Sequence, residues 1–241
     1  MGALLLLGGA GSPLRAQELT AYVQVGGGWR QGDYGTPVRS TLWMGYATLG
    51  AARGKWDASL TVPTLQVTRE EGGVVTRDRG LGDVLLRGTV LLWPENEAGW
   101  SLDGTGVVKL PTASESAGLG TGRTDGGGFL VARHRGGAFQ WTFLGGWIRG
   151  SASPSSAGPE TLTPGGYVLG LGLAFHANLT RWELSVGGRG SARADTPGAR
   201  EVSLGMFHPF SPAWGLQASF TAGLNDGGPR RSADLALIRR F

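Results

Sequence analysis

The last ten residues, Ser232-Ala-Asp-Leu-Ala-Leu-Ile-Arg-Arg-Phe241, alternate between two kinds of side chain. Leu235, Leu237 and Phe241 share one parity, whereas Asp234 falls on the other. A two-residue period indicates a β-strand, because successive side chains of a strand point to opposite faces. An apolar face that ends on an aromatic residue is typical of the strand that closes an outer-membrane barrel, where aromatic rings lie at the membrane interface. We therefore expect the same two-sided pattern to recur back to the N-terminus.

The rest of the chain repeats this pattern. From Glu18 onward, one face of each segment carries large apolar side chains and the other carries Gly, Ser, Thr and scattered charges. A membrane barrel turns the large apolar face to lipid and the small polar face to its lumen. The pattern predicts twelve strands, at residues 18–29, 39–51, 56–70, 81–93, 100–114, 127–135, 139–151, 167–176, 180–194, 200–210, 214–225 and 232–241.

The connections between these segments alternate in length. Long connections at 30–38, 71–80, 115–126 and 152–166 are separated by short ones, such as 177–179. Short periplasmic turns and longer outer loops are the asymmetry of an up-and-down barrel. Six of the nine tryptophans lie beside short turns, as expected of side chains at a membrane interface: Trp56, Trp93, Trp100, Trp141, Trp182 and Trp214. The predicted fold is all-β, a transmembrane antiparallel up-and-down β-barrel of about twelve strands.

Composition excludes several other classes. The 241 residues include 45 glycines without a three-residue register, so the chain is not collagen-like. It has no Cys, which excludes a disulfide framework, a thiol nucleophile and a thiolate metal site. The net charge of +4 comes with no basic face interleaved with aromatic residues, so nucleic acid is not an expected partner. Outer-membrane lipid or lipopolysaccharide phosphate is the expected partner of the loop arginines.

The N-terminal stretch predicts export. An apolar run at Ala3–Ala10 is followed by a small-residue cleavage point after Ala16. Residues 1–16 are therefore expected to be a signal peptide, and 17–241 the barrel domain. The expected location is the outer membrane, reached through the periplasm. The barrel-assembly machinery is expected to recognise the strand that ends at Phe241.

Four motifs in the first half of the barrel domain resemble one known family. They are Leu60-Thr-Val-Pro63, Gly80-Leu-Gly-Asp83, Val108-Lys-Leu-Pro-Thr112 and Gly118-Leu-Gly-Thr-Gly122. In order and spacing they are similar to the outer-membrane transporter family named for the meta pathway of phenol degradation. The positions that match the family's central motifs are Gly80, Gly82, Asp83, Lys109, Leu110, Pro111 and Thr112. Ala113-Ser114 departs from the family pattern, which has Gly-Asp there.

This resemblance implies a passive outer-membrane channel for small molecules, including aromatic or other hydrophobic compounds. Parity places a set of polar side chains on the lumen face, where they would form a structural network or contact the solute. These side chains are Arg87, Asp103, Lys109, His176, Glu183, Arg189, Glu201, Gln217 and Asp234. Lys109 and Asp103, six residues apart, share a face of one strand and mark the region to substitute first.

Two other functions stay open at this stage. A non-transporting barrel, acting as an anchor or adhesin, would contain a lumen filled by paired charges. A membrane hydrolase would need Ser, His and an acidic residue to converge, but no Gly-x-Ser-x-Gly motif occurs. His134, His176 and His208 lack nearby residues at metal-ligand spacing. We therefore expect no enzyme activity, no catalytic residues, no metal and no cofactor.

Overall fold

The computed structural model describes residues 18–34, 36–149, 166–190 and 198–241, so the predicted signal peptide lies outside the described residues. No helix in these ranges is long and apolar enough to cross a membrane. The described chain contains the strands β1 Thr20–Gly32, β2 Arg39–Arg53, β3 Trp56–Glu71, β4 Val74–Leu81, β5 Val84–Trp93, β6 Trp100–Leu110, β7 Asp125–Gly136, β8 Phe139–Arg149, β9 Gly166–Ala177, β10 Thr180–Arg189, β11 Ala199–Pro209, β12 Trp214–Gly223 and β13 Arg231–Arg240.

These strands form one closed antiparallel barrel with twelve positions in its wall, which confirms the predicted fold. The barrel closes where β1 pairs with β13, in the register Val25↔Leu237. The final strand therefore closes the barrel, as its sequence predicts. Strands β4 and β5 share one wall position, since β3 pairs with β5 through its first half and with β4 through its second. The thirteen strands thus give twelve wall positions.

The predicted long loop at 71–80 is wrong. These residues form a β-hairpin, in which β3 continues to Glu71 and β4 returns from Val74. The turn is Gly72-Gly73, with φ of 55° and 84°, a left-handed conformation that glycine adopts without the steric cost of a Cβ. The charged residues of this stretch are typical of a loop, but its β-branched residues favour a strand. The predicted strand 100–114 is also too long, since β6 ends at Leu110.

The outer surface of the barrel is apolar. Residues of the large-apolar parity are exposed along the strands, for example Leu235 at 55%, Leu204 at 47% and Phe220 at 48%. A soluble protein would bury such a band, whereas a bilayer solvates it. At the short-turn end Trp56, Trp93, Trp100 and Trp141 are exposed, while Trp182 and Trp214 are partly buried. The outer surface therefore has the polarity of a membrane barrel.

Among the described residues, the inside of the barrel holds two apolar clusters. One joins Val107, Phe129, Val131, Leu144 and Ile148, all of the inward parity of β6, β7 and β8. The other joins Leu42, Leu65 and Val67 of the wall to Leu119 of the connection between β6 and β7. Since Leu119 is only 4% exposed, this connection folds into the lumen. We call residues 111–124 the inward segment.

Candidate functional site

Lys109 holds the inward segment against the wall near its C-terminal end. Its ammonium group donates to Asp83 Oδ2 at 2.6 Å, to Thr121 Oγ1 at 2.7 Å and to the Arg123 carbonyl at 3.3 Å. It also lies 2.9 Å from Asp125 Oδ2, the residue directly opposite Lys109 in the β6–β7 register. One cation thus joins Asp83, between β4 and β5, and Asp125 of β7 to the inward segment.

The first residues of the inward segment fill a break in the wall. Gly82 and Asp83 separate β4 from β5. The hydroxyl group of Thr112 hydrogen-bonds to the backbone groups on either side of Asp83. Its Oγ1 accepts the Val84 N–H at 2.9 Å and donates to the Gly82 carbonyl at 3.1 Å. Asp83 Oδ1 accepts the Ala113 N–H at 3.0 Å. The side chains of Asp83 and Thr112 therefore replace the missing strand pairing.

A third attachment lies at the middle of the segment. Arg69 Nη2 donates to the Gly118 carbonyl at 2.9 Å, while its Nη1 lies 2.8 Å from Asp78 Oδ2. Beside this bond Leu119 packs against Leu65, and a Cβ on Gly80 would lie 2.9 Å from the Leu119 side chain. The segment is thus held by ion pairs, hydrogen bonds and one principal apolar side chain.

The charges of this site are deeply buried. Exposure of the side chains is 4% for Lys109, 7% for Asp83 and 0% for Asp125. Removing one partner of such a group leaves the others buried without compensation, which typically costs about 3–5 kcal/mol. Lys109 is therefore the residue whose loss should most weaken the attachment of the inward segment.

Several other inward charges also lie in pairs. Arg87 Nη2 is 3.1 Å from Asp57 Oδ1, and Arg181 Nη2 is 2.9 Å from Glu183 Oε2. Arg133 pairs closely with Asp103. Arg30 Nη2 lies 4.0 Å from Asp234 Oδ1. These pairs link neighbouring strands, except Arg181–Glu183, which lies within β10.

The sequence places Lys109 and Asp103 on one face of the same strand, and in the structure each forms ion pairs with other residues. Lys109 binds Asp83 and Asp125, while Asp103 binds Arg133. The partners that sequence reasoning missed are Arg30, Asp57, Asp125, Arg133 and Arg181. The sequence did contain a signal for some of these partners, because several of them are opposite charges of inward parity on adjacent predicted strands. Strand register was needed to choose among them.

The remaining predicted lumen residues lie apart from these pairs. Arg189 and Glu201 are diagonal neighbours across β10 and β11, next to the pair Gly187↔Glu201. Gln217 lies opposite Phe207. His176 lies opposite Arg181 at the short-turn end and is exposed. In the described ranges, no group of three or more His, Asp or Glu side chains has the arrangement of a metal site.

Neither a protein-family model nor a curated protein matches this chain. Solved structures do match. A COG4313 outer membrane channel from Pseudomonas putida F1 is 17% identical, with a TM-score of 0.71 over 92% of this chain and 95% of that one. The β domain of the Bordetella autotransporter BrkA is 15% identical, with a TM-score of 0.63 over 93% of this chain and all of that one.

The NanC porin also resembles this chain, at 9% identity and a TM-score of 0.56 over 89% of this chain and 98% of that one. Identities this low show a shared fold. Together with the closed strand order and the apolar outer surface, they place the chain among outer-membrane β-barrels.

Proposed function

We propose that this barrel is a passive outer-membrane channel for small molecules and that the inward segment is its gate. The observation that carries the proposal is the attachment of residues 111–124 to the wall inside the lumen through Lys109. This segment is held by side-chain bonds rather than by strand pairing. It can therefore detach while the wall outside the break between β4 and β5 keeps its own backbone hydrogen bonds.

The lumen has two chemically different sides, which supports a particular class of solute. The side formed by β6, β7 and β8 presents Val107, Phe129 and Leu144. The opposite side presents hydroxyl groups on β10 to β13, including Ser203 and Thr221, whose oxygens lie 2.8 Å apart. A small molecule with an apolar ring and a polar group would match both sides. This favours the aromatic compounds that the family resemblance implies.

Carboxylate oxygens of the lumen pairs have capacity for further hydrogen-bond donors. Within the described residues, the carboxylate oxygens Asp103 Oδ1, Glu183 Oε1 and Asp234 Oδ1 are buried without a hydrogen-bond partner. Buried acceptors are normally satisfied by protein or water. A solute hydroxyl, or water travelling with the solute, would supply the missing donors.

The position of β4 favours a route beside the gate. In the described part of the chain, β4 pairs with β3 and has no strand on its second edge. The inward segment lies against this hairpin, through the contacts of Arg69 and Leu119. When the segment moves, the lumen would open toward the outer medium and toward the side of β4.

The test compares the refolded wild-type chain with Lys109→Met in planar bilayers and in liposomes. We expect Lys109→Met to raise the open probability several-fold and to speed uptake of small aromatic acids more than that of sugars of similar size. Arg135→Gln is the matched control, because it removes a charge from the exposed pair with Glu95 at the short-turn end. An unchanged conductance in a folded Lys109→Met barrel would contradict the gate.

Pairing of the lumen charges favours a second candidate, a non-transporting anchor or adhesin. A lumen filled by pairs such as Arg133–Asp103 and Arg181–Glu183 could serve only to stabilise the barrel. This candidate predicts no conductance in the wild type, in Lys109→Met or in a variant that lacks the inward segment. We propose no catalytic activity for the barrel.

A further inference from the structure

Strand β4 separates its charges between the two faces of the wall. Asp78 points inward, where Arg69 Nη1 lies 2.8 Å away. Arg77 and Arg79 have the opposite parity and are exposed on the outside of the barrel. In the part of the chain that the structure describes, neither of these two arginines has a carboxylate within 4.0 Å. The outer face of β4 thus carries two exposed guanidinium groups that form no ion pair within 4.0 Å in the described residues.

The neighbouring strands place hydrogen-bonding side chains beside these arginines. In the register of β2, β3 and β4, Thr41 and Thr68 lie in one row with Arg77. Trp43 and Gln66 lie in the next row with Arg79. Residues two apart on a strand are separated by about 7 Å, and adjacent strands by about 4.8 Å. The two rows therefore form one compact patch, which we call the β4 patch.

The β4 patch lies directly above the apolar band. Toward the short-turn end, the same outer face continues with Val62 and then with the row Leu49, Leu60 and Leu86. Trp43 is 55% exposed and belongs to the row of the β4 patch that is nearer the apolar band, as expected of a side chain at a membrane interface. The β4 patch is thus at the depth of lipid headgroups, at the end of the barrel with the long connections.

We propose that the β4 patch binds the phosphate groups of a phosphorylated glycolipid in the outer leaflet. Arginine binds phosphate bidentately, and two arginines about 7 Å apart on one face can reach the same phosphorylated headgroup. The hydroxyl and amide groups of Thr68 and Gln66 suit its sugar. The apolar band below receives the acyl chains. An acidic protein partner would need none of this apolar surface.

The opposite end of the barrel provides a matched control. Arg53 is also exposed on the outer face, in a row with Trp56 and Val90. It has an exposed tryptophan beside it but no second arginine on the same strand face. Arg53→Gln therefore removes an outward charge without touching the β4 patch.

The experiment measures the affinity of the folded full chain for bisphosphorylated lipid A in detergent micelles by native mass spectrometry. Each arginine near a charged surface contributes about 1 kcal/mol, so Arg77→Gln/Arg79→Gln should weaken binding about 10- to 30-fold. Arg53→Gln should change it less than twofold. Wild-type protein should bind enzymatically dephosphorylated lipid A about as weakly as the double variant binds the phosphorylated lipid.

Three results would overturn the proposal: equal binding of the two lipids, undiminished binding by the folded double variant, or an equal loss with Arg53→Gln. Resistance to unfolding in cold detergent on gels checks the fold of each variant. If the double variant does not fold, Arg77→Lys/Arg79→Lys keeps the charge and should still show weaker binding, because lysine lacks the bidentate fork. This measurement does not involve conductance, so its result tests the lipid site independently of the proposed channel.

Discussion

At the scale of single residues, several glycines are explained by an aromatic ring on the neighbouring strand. Gly50 lies directly opposite Tyr22, and a Cβ at Gly50 would overlap the tyrosine ring. Four residues further along β1, the glycine is on β1 and the tyrosine on β2. Gly26 lies opposite Tyr46 there, and a Cβ at Gly26 would lie 2.6 Å from the tyrosine ring. An inward ring thus lies flat over each glycine. The narrow lumen has room for these rings because the opposing residue has no side chain.

We predict that Gly50→Ala lowers the free energy of unfolding by about 1–3 kcal/mol, because the new methyl group overlaps Tyr22. Gly88→Ala is the control, since no atom of the described residues lies within 4 Å of its Cβ position, and it should stay within about 0.5 kcal/mol of wild type. Urea unfolding in lipid vesicles measures both. Equal effects of the two substitutions would show that glycine content, rather than ring packing, matters at Gly50.

At the scale of elements, the inward segment depends on one apolar contact in addition to its polar bonds. Leu119 packs with Leu42, Leu65 and Val67, and Leu42 and Val67 are almost completely buried. A charge at position 119 would have to be buried without a partner or leave the cluster. The segment should therefore detach when Leu119 becomes acidic, although Lys109 is intact.

We predict that Leu119→Asp speeds amide hydrogen exchange throughout residues 113–121 at least tenfold and leaves exchange in β7 and β8 unchanged. Leu179→Asp is the control, because Leu179 is 68% exposed in the short β9–β10 turn. If the segment is the gate, conductance should rise in Leu119→Asp as well. Faster exchange without a rise in conductance would show that the segment moves but does not gate the lumen.

At the scale of the whole molecule, the barrel inverts the polarity of a soluble protein. Its exposed leucines face lipid, and buried charges such as Asp103, Lys109 and Glu183 face the lumen. Arginine at the middle of the lipid-facing surface of a barrel costs about 2–4 kcal/mol, falling to about 0–1 kcal/mol near the interfaces. The loss of folding free energy caused by an outward arginine should therefore depend on the depth of that arginine in the bilayer.

We predict that Leu235→Arg, in the middle of β13, destabilises the barrel by about 2–4 kcal/mol in vesicles. Leu224→Arg, beyond the outer end of β12, should cost about 1 kcal/mol or less, although Leu224 is at least as exposed, at 63% against 55%. Equilibrium unfolding of the two variants checks this difference. Equal costs would mean that the membrane boundary does not lie where the outer surface places it.

The sequence by itself determined the fold, since a two-residue polarity pattern and alternating connection lengths specify strand, face and direction without long-range information. It also placed Asp83, Lys109 and Thr112 in recognisable motifs. Only the tertiary structure decided that β4 continues the wall at residues 74–81 and that Lys109 binds Asp83 and Asp125 rather than Asp103. The reason is that parity assigns a side chain to a face, whereas its partner depends on strand register and on where an irregular segment folds, and both are set by contacts between distant residues.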